Sequence, residues 1–342
     1  MIGIGIVGTG RMGQLHATNF HGKVAGSQVM AVADEIWDRA QELGQKLNVK
    51  KVYKDYRNLL EDPRVDAIVI CTPVLTHKQI ILDALAAGKH ILCEKPLTLT
   101  VEDAEDLYRA IEGSNVVFQL AFMRRFDEAF MVARDKIQEG VIGRPVFVRS
   151  TGRDPGLPPI PGWGADPDAC GDIAFELCSH DYDSMQWLID SDIINVYARA
   201  AILSSIEVAK KYGGKMINDT LVVLTEFANG ALGSIDGLLN IKYGYDARVE
   251  VVGDEGSLFI GALENVDIML ARGDRHFAMP SAPSFIDRFA QAYVKEAEHF
   301  VNCVLNSRKP RVGILDGVKA VKVASAVNES LRTGAPVSLV GE

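Results

Sequence analysis

The stretch Ile2-Gly3-Ile4-Gly5-Ile6-Val7-Gly8-Thr9-Gly10-Arg11-Met12-Gly13 decides how the first third of the chain folds. An apolar run of strand length precedes Gly8–Gly13, and a helical pattern over Arg11–Phe20 follows. In that setting GxGxxG reads as a strand-to-helix turn. Its glycines allow a tight bend, close approach of backbone to a pyrophosphate, and close packing of helix on strand. The helix N-terminus offers its first N–H groups and a partial positive charge to phosphate oxygens. The overlapping match Gly3–Gly8 lies inside the strand, with no strand before it, and that register is rejected.

Outward from this turn, apolar runs at Val29–Ala33, Ala67–Cys71, His90–Cys93 and Val116–Leu120 alternate with helical patterns at Asp38–Leu47, Lys78–Ala87 and Val101–Ile111. Continuous Val/Ile/Ala runs suit parallel strands buried on both faces, and strand–helix alternation implies right-handed crossovers. The expected fold is a doubly wound Rossmann sheet ending near Leu120, in a domain of residues 1–121. Asp34 ends the second strand. A carboxylate there can accept from adenosine ribose hydroxyls and repels a 2′-phosphate; with Glu35 and Ile36 next and no adjacent Arg, NAD is favoured over NADP.

Residues 122–342 read as an α+β domain. A helix over Asp127–Glu139 leads through Gly143-Arg144-Pro145 into a strand at Val146–Thr151. Pro155, Pro158, Pro159 and Pro161 make Asp154–Gly164 a loop, because proline fixes φ and lacks a donor. A helix over Ile173–Ile189 precedes strands at Asn195–Ile202, Thr220–Ala228, Ala231–Leu239, Arg248–Val252, Ser257–Ile260 and Val266–Ala271. Asn229-Gly230 suits a tight hairpin, both residues tolerating positive φ. Successive strands with tight turns imply a large, open, mainly antiparallel sheet. Helices over Ile286–Asn306 and Asp316–Leu331 close the chain.

A length of 342 residues allows two domains with separate cores. Net charge −9 argues against non-specific nucleic-acid binding, which needs a basic surface. Five cysteines, with no CxxC pair, argue against a disulfide framework and for a reducing compartment. Met1–Val7 has no basic run before it, so it reads as a strand rather than a secretion signal. No apolar run reaches the roughly 20 residues of a membrane span. The expectation is a cytoplasmic protein without membrane or nucleic-acid partners.

Glu94-Lys95-Pro96 follows the His90–Cys93 strand, and open α/β sheets bind ligands beyond the carboxyl ends of their strands. An ammonium there can hold a substrate hydroxyl and favour a developing alkoxide. In the second domain, Glu176, His180 and Asp183 are spaced by four and three residues, placing them on one face of the expected helix. A carboxylate one turn from an imidazole can align it as a base. Cys170, Cys178 and His180 lack a fourth ligand and any zinc-site spacing, so no metal is expected.

Gly8–Gly13, Thr72-Pro73 with His77, and Glu94-Lys95-Pro96 together resemble the glucose–fructose oxidoreductase/inositol dehydrogenase (Gfo/Idh/MocA) family. The resemblance runs along essentially the whole chain. Phe122–Asp127, Arg153-Asp154-Pro155 and Lys242-Tyr243-Gly244-Tyr245-Asp246 are similar to inositol 2-dehydrogenases in particular. It implies a C-terminal domain with a large open sheet on which dimers or tetramers form, and a cis Lys95–Pro96 bond. It implies cofactor contacts from Gly8, Thr9, Gly10, Arg11, Met12, Gly13, Asp34, Thr72, Pro73, His77, Glu94 and Lys95. It implies His180 as general base, with Glu176 standing where the family usually has Asp, and substrate contacts from Lys95, Arg124, Asp154, Glu176, His180, Tyr243 and Tyr245. The resulting expectation is an NAD-dependent dehydrogenase that oxidises a secondary hydroxyl of a cyclic polyol or sugar. Two other activities exist on this fold: NAD-dependent glycoside hydrolysis with internal hydride cycling, and redox-inactive cofactor-binding regulation. The joint presence of Lys95 and His180, which binding alone does not require, weighs against the regulator.

Overall fold

Strand β1 (Ile2–Val7) is buried from Gly3 onward, as its apolar run demands. In the computed structural model, which describes residues 1–158, 162–211, 213, 216–261 and 282–340, the strands that follow are β2 (Ser27–Ala33), β3 (Lys51–Tyr53), β4 (Ala67–Ile70), β5 (His90–Cys93) and β6 (Phe118–Leu120). They pair in parallel in the order β3-β2-β1-β4-β5-β6. Connecting helices are α1 (Arg11–Gly22), α2 (Trp37–Lys46), α3 (Tyr56–Leu60), α4 (His77–Ala86) and α5 (Val101–Glu112). This is the doubly wound Rossmann order. Strand β3 and helix α3 are additions to the expected elements. β3 is three residues long and none of them is fully buried, so its sequence has no apolar run.

Next come α6 (Glu128–Gln138), β7 (Pro145–Arg153), α7 (Pro167–Cys170), α8 (Asp172–Glu176), α9 (Ser179–Ile189), β8 (Ile193–Ala201) and α10 (Ile206–Lys211). The chain then forms β9 (Thr220–Phe227), β10 (Leu232–Leu238), β11 (Asp246–Gly253), β12 (Ser257–Ile260), α11 (Phe285–Arg288), α12 (Ala290–Leu305), α13 (Ile314–Thr333) and β13 (Val337–Ser338). The second sheet runs β12-β11-β7-β10-β9-β8-β13. It is antiparallel except for one parallel pair, β7 with β10. Strand β9 alternates buried and exposed residues, so one face of the sheet is covered and the other open. At the β9–β10 hairpin only Gly230, not Asn229, takes positive φ (85°). The expected strand Val266–Ala271 and Pro159 to Pro161 of the expected loop lie outside the described residues.

The chain divides into two compact units, Met1–Phe126 with Gln291–Val318, and Asp127–Ala290 with Lys319–Glu342. A single boundary after residue 121 therefore describes only the first crossing. Residues 291–318, expected in the second domain, pack in the first. Helix α12 shares a core there with β1, β2, β4 and α1: Ala297, Phe300 and Val301 bury beside Ile4, Val32, Val69, Ala17 and Phe20. Each large apolar side chain so buried contributes roughly 1.5–3 kcal/mol, which outweighs sequence distance.

The expected helix over Ile173–Ile189 is two helices, α8 and α9, broken at Leu177–Cys178. The Cys178 N–H reaches back five residues to the Ile173 carbonyl at 3.1 Å, and the Asp181 N–H starts a new series on the Cys178 carbonyl at 2.9 Å. Cys178 fits against Gly237 of β10, where a Cβ would overlap its Sγ. Glu176 thus ends one helix and His180 lies in the first turn of the next, so the argument from a common helix face does not hold.

Glu296 of α12 is wholly buried, and neither carboxyl oxygen has a hydrogen-bond partner among the described residues. Burial, and secondarily the Glu94 carboxylate, push its pKa well above the usual carboxyl range. The folded chain therefore keeps a proton that the unfolded chain releases once pH exceeds about 4.5. Stability falls as pH rises through that window and levels off above the folded-state pKa. Glu296→Gln has no such proton, so its Tm advantage over the wild-type chain should be small near pH 5 and grow toward pH 8, by about 2–4 °C per kcal/mol. Thermal denaturation at both pH values checks this; an equal difference at each would refute the assignment.

Candidate active site

The site in the first unit is built at the carboxyl ends of β1, β4 and β5, which are neighbours in the sheet. Gly8 turns the chain out of β1 with φ 88°, and a Cβ there would stand 2.7 Å from the Cys71 carbonyl and 2.9 Å from the Thr72 nitrogen. Gly13 lies so close over the turn that a Cβ would overlap the Gly8 carbonyl oxygen. Beyond Gly10 the space is open: a Cβ would meet nothing within 4 Å. Gly10 caps α1 without a side-chain bond, and the first turn carries no acidic residue. These are the features a pyrophosphate at a helix N-terminus requires, and a dinucleotide fits them.

Asp34 stands beside this turn at the end of β2. Its Oδ2 accepts from the Thr9 N–H at 2.7 Å and Thr9 Oγ1 at 2.9 Å, and its Oδ1 accepts from the Ile36 N–H at 2.8 Å. These bonds fill three of the roughly four acceptor positions of a carboxylate. One remains for a ribose hydroxyl, as the NAD expectation requires. Thr9 is buried, Met12 half-buried and Arg11 exposed.

Thr72 and Pro73 follow β4, half-buried, and the Thr72 nitrogen lies directly against Gly8. The buried His77 ring spans two loops: Nδ1 is 3.0 Å from the Pro96 carbonyl and Nε2 is 3.0 Å from the Thr72 carbonyl. Burial lowers its pKa, so the neutral ring donates to one carbonyl at a time. His77 therefore braces the strand ends from below. The Lys95–Pro96 peptide is cis. Lys95 is half-buried at the end of β5. Glu94 is buried and directed inward: its Oε1 lies 2.7 Å from His16 Nε2, and its Oε2 accepts from the Lys95 N–H at 3.2 Å. Arg124, almost completely buried, sits in the turn after β6 in this same unit.

In the second unit, His180 is 8% exposed, Asp183 is 1% exposed, and Glu176 is half-buried. Asp154 follows β7, accepts the Gly156 N–H at 2.7 Å, and is tied through its own N–H to the Leu238 carbonyl at 2.9 Å. The Tyr243 hydroxyl accepts from Arg153 Nη1 at 3.0 Å and donates to Asp246 Oδ2 at 2.8 Å. Arg153 also pairs with Asp236 at 2.7 Å. Burial raises the phenol pKa of Tyr243, so it is a neutral donor and acceptor at ordinary pH. Tyr245 is buried, and its ring packs on Phe285 and Phe289 with centroids 6.2 and 6.1 Å away.

Two groups of polar residues had no role assigned from the sequence. Arg153 carries the Tyr243 hydroxyl; in the sequence it stands out only as part of Arg153-Asp154-Pro155, with no role of its own. His16, Asn19, Gln119 and Glu296 form a buried polar group behind Glu94. The available signal was a set of polar residues at core positions of otherwise amphipathic helices, His16 and Asn19 beside Ala17 and Phe20. Among the described residues no group of three or more His, Cys, Asp or Glu is placed to hold a metal ion, and no helix is long and apolar enough to cross a membrane.

Residues 2–122 match the GFO_IDH_MocA family model described as an oxidoreductase family, NAD-binding Rossmann fold. Residues 134–339 match the model of its C-terminal alpha/beta domain. The chain is 35% identical to the scyllo-inositol 2-dehydrogenase (NAD(+)) of Bacillus subtilis, over 98% of this chain and 95% of that one. It is 33% identical to the myo-inositol 2-dehydrogenase of Thermotoga maritima, over 98% of each. Its fold is similar to the crystal structure of scyllo-inositol dehydrogenase from Lactobacillus casei with bound NAD(H) and scyllo-inositol, with a TM-score of 0.88 and 28% identity over the full length of both. Glycine turn, lysine after β5 and open second sheet thus occur in one order along one chain, and the chain belongs to the Gfo/Idh/MocA oxidoreductase family.

Proposed function

We propose that this protein is an NAD-dependent dehydrogenase that oxidises a secondary hydroxyl of a cyclic polyol or sugar, with inositols as the first substrates to test. The observation that carries the reading is Lys95: it follows β5 on the same sheet edge as the Gly8–Gly13 turn, where a nicotinamide cofactor would end. Relatives named as inositol 2-dehydrogenases over nearly the whole length support the substrate class.

NAD, when bound, supplies the hydride acceptor. The chain's own residues do the rest. The Lys95 ammonium holds the substrate oxygen and stabilises the charge that develops on it as the proton leaves. His180 accepts that proton. Glu176 positions His180 or a neighbouring substrate hydroxyl. Arg124, Asp154, Tyr243 and Tyr245 complete the substrate contacts, replacing the hydration a polyol loses on binding. Thr72, Pro73 and His77 shape the cofactor channel between β4 and β5. We read the second unit, Asp127–Ala290 with Lys319–Glu342, as the one that supplies most of the substrate contacts, Lys95 and Arg124 coming from the first. Its open sheet face also builds a homodimer or homotetramer: Val222, Leu224, Leu232 and Phe259 are 47–62% exposed there, an apolar surface that a partner would cover. All five cysteines are free thiols, which suits the cytoplasm.

Absorbance of reduced nicotinamide, followed across inositols, aldoses and sugar acids, tests the activity; no NADH from any of them would refute it. Lys95→Ala and His180→Ala should each lower turnover by about 10²–10⁴-fold while largely sparing cofactor binding followed by NADH fluorescence. A variant with near-normal turnover would remove that residue from the chemistry. Asp34→Ala should lower kcat/KM for NAD by about 10–100-fold, the worth of one hydrogen bond to a charged group, and raise the relative use of NADP; an unchanged cofactor ratio would contradict the role given to Asp34. Leu224→Glu should reduce the assembled mass seen by light scattering, and an unaltered mass would place the interface elsewhere.

A further inference from the structure

Glu94 has its side chain turned away from solvent, toward α1. His16 and Asn19 of α1 are fully buried, as is Gln119 of β6, and Glu296 of α12 approaches from a third side. Gln119 Nε2 donates to the Glu296 backbone carbonyl at 3.1 Å, and the Tyr293 ring meets the His16 ring edge-on at 6.0 Å. The other titratable groups facing this cluster are the thiols of Cys71 and Cys93, whose pKa values burial raises, and the His77 imidazole, whose pKa burial lowers. They remain neutral, as does Glu296.

Glu94 has one imidazole at hydrogen-bond distance in this buried setting, that of His16. His16 Nε2 lies 2.7 Å from Glu94 Oε1. The remaining oxygen of Glu94 receives the backbone N–H of Lys95. Lys95 precedes a proline that has no N–H, so this bond is the one that Glu94 makes to the backbone of the Glu94-Lys95-Pro96 turn.

We propose that His16 is a positioning residue for Lys95: its imidazole fixes the Glu94 carboxylate, which fixes the Lys95 backbone and so ties the lysine turn to the helix that receives the cofactor phosphates. The proposal rests on the reading of Lys95 as the group that holds the reacting oxygen. His16 itself is fully buried and so is not open to a ligand. It sits in the second turn of α1, five residues after Arg11, and reaches the lysine only through Glu94. A packing residue would need neither the ring nitrogen nor a carboxylate at hydrogen-bond distance. Removing the ring nitrogen leaves the Glu94 carboxylate buried without its partner, and the carboxylate then turns toward water and releases Lys95.

The test uses the full chain and three variants, His16→Ala, His16→Gln and Lys95→Ala. Glutamine returns a donor near the place of the imidazole Nε2. His16→Ala should lower kcat for the best polyol by between about 10- and 100-fold, as a misplaced catalytic group does, with NADH affinity changed less than about threefold. It should also shift the pH profile of kcat and quicken hydrogen exchange at the Lys95 amide in the cofactor-free protein. His16→Gln should restore both most of the way. Wild-type kcat, pH profile and amide exchange in His16→Ala would overturn the proposal. So would activity lost only in proportion to the NADH-binding fraction, with the pH profile unmoved, because that is the result of a merely structural role. If His16→Ala does not fold, His16→Gln and Glu94→Gln decide by the same exchange and pH readouts: an unshifted Lys95 amide and profile in Glu94→Gln overturns it. A Lys95→Ala chain that turns over normally refutes the reading of Lys95 instead, and the exchange experiment still reports on His16 independently of turnover.

Discussion

At Gly8 the backbone leaves β1 in a left-handed conformation and passes within contact distance of the Cys71–Thr72 peptide. No side chain fits there, and no L-residue adopts that φ without strain. The other features of the first unit follow from this close passage. It sets the start of α1 directly over the sheet edge, so the helix N-terminus opens onto the ends of β1 and β4. It brings the Thr9 N–H and hydroxyl onto Asp34. It also fixes the rotation of α1, which turns His16, Ala17 and Phe20 inward and Arg11 and Gln14 outward. A bulkier turn would move the helix, and with it both the phosphate site and the imidazole beneath Glu94.

The polar group under β5 is costly. Burying a carboxylate carries a penalty of several kcal/mol, and replacement of a buried pair by apolar side chains is often neutral or stabilising. Burial in a low dielectric disfavours the charged form of Glu296, and the Glu94 carboxyl nearby adds to that, which is why Glu296 holds its proton. Leu or Met at positions 16, 19 and 296 would make a drier core and a more stable unit. A cluster that works against stability, at the back of the turn that presents Lys95, is what a site under functional constraint is expected to contain.

Most of the first unit was legible because its signals are local. β1 and β5 have the bounds that their apolar runs predict, and the glycine turn sits where strand and helix patterns meet. What escaped was decided elsewhere in the chain. β3 is held by pairing to β2, not by its own composition. The assignment of residues 291–318 to the first unit depends on Phe300 meeting Phe20 edge-on at 6.4 Å, a contact across most of the sequence. In the second unit, β8 to β12 were readable from alternation and turns. The parallel pairing of β7 with β10 was not, since nothing in either strand encodes its neighbour's direction.

The break between α8 and α9 is the sharpest of these cases, because it bears on the Glu176 and His180 pair. Spacing alone predicts one helix, and side chains four apart would then hold a fixed separation. Asp172 instead opens α8 with φ 63°, an uncommon state for a residue with a Cβ. Its carboxylate compensates by accepting from the Ile173 N–H at 2.8 Å and the Asn218 N–H at 2.6 Å, and from the Asn218 side chain. At the far end Cys178 is lodged against Gly237. The five residues of α8 are thus pinned at both ends to β9 and β10, or to the turn before them, and α9 starts afresh. The separation of Glu176 from His180 is set by these two anchors and not by helical rise. The extra methylene of a glutamate, which on a continuous helix would displace its carboxylate by about one carbon–carbon bond (~1.5 Å), has no such fixed consequence here. The two anchors decide where the carboxylate falls, so the length of the Glu176 side chain alone does not set its distance from His180.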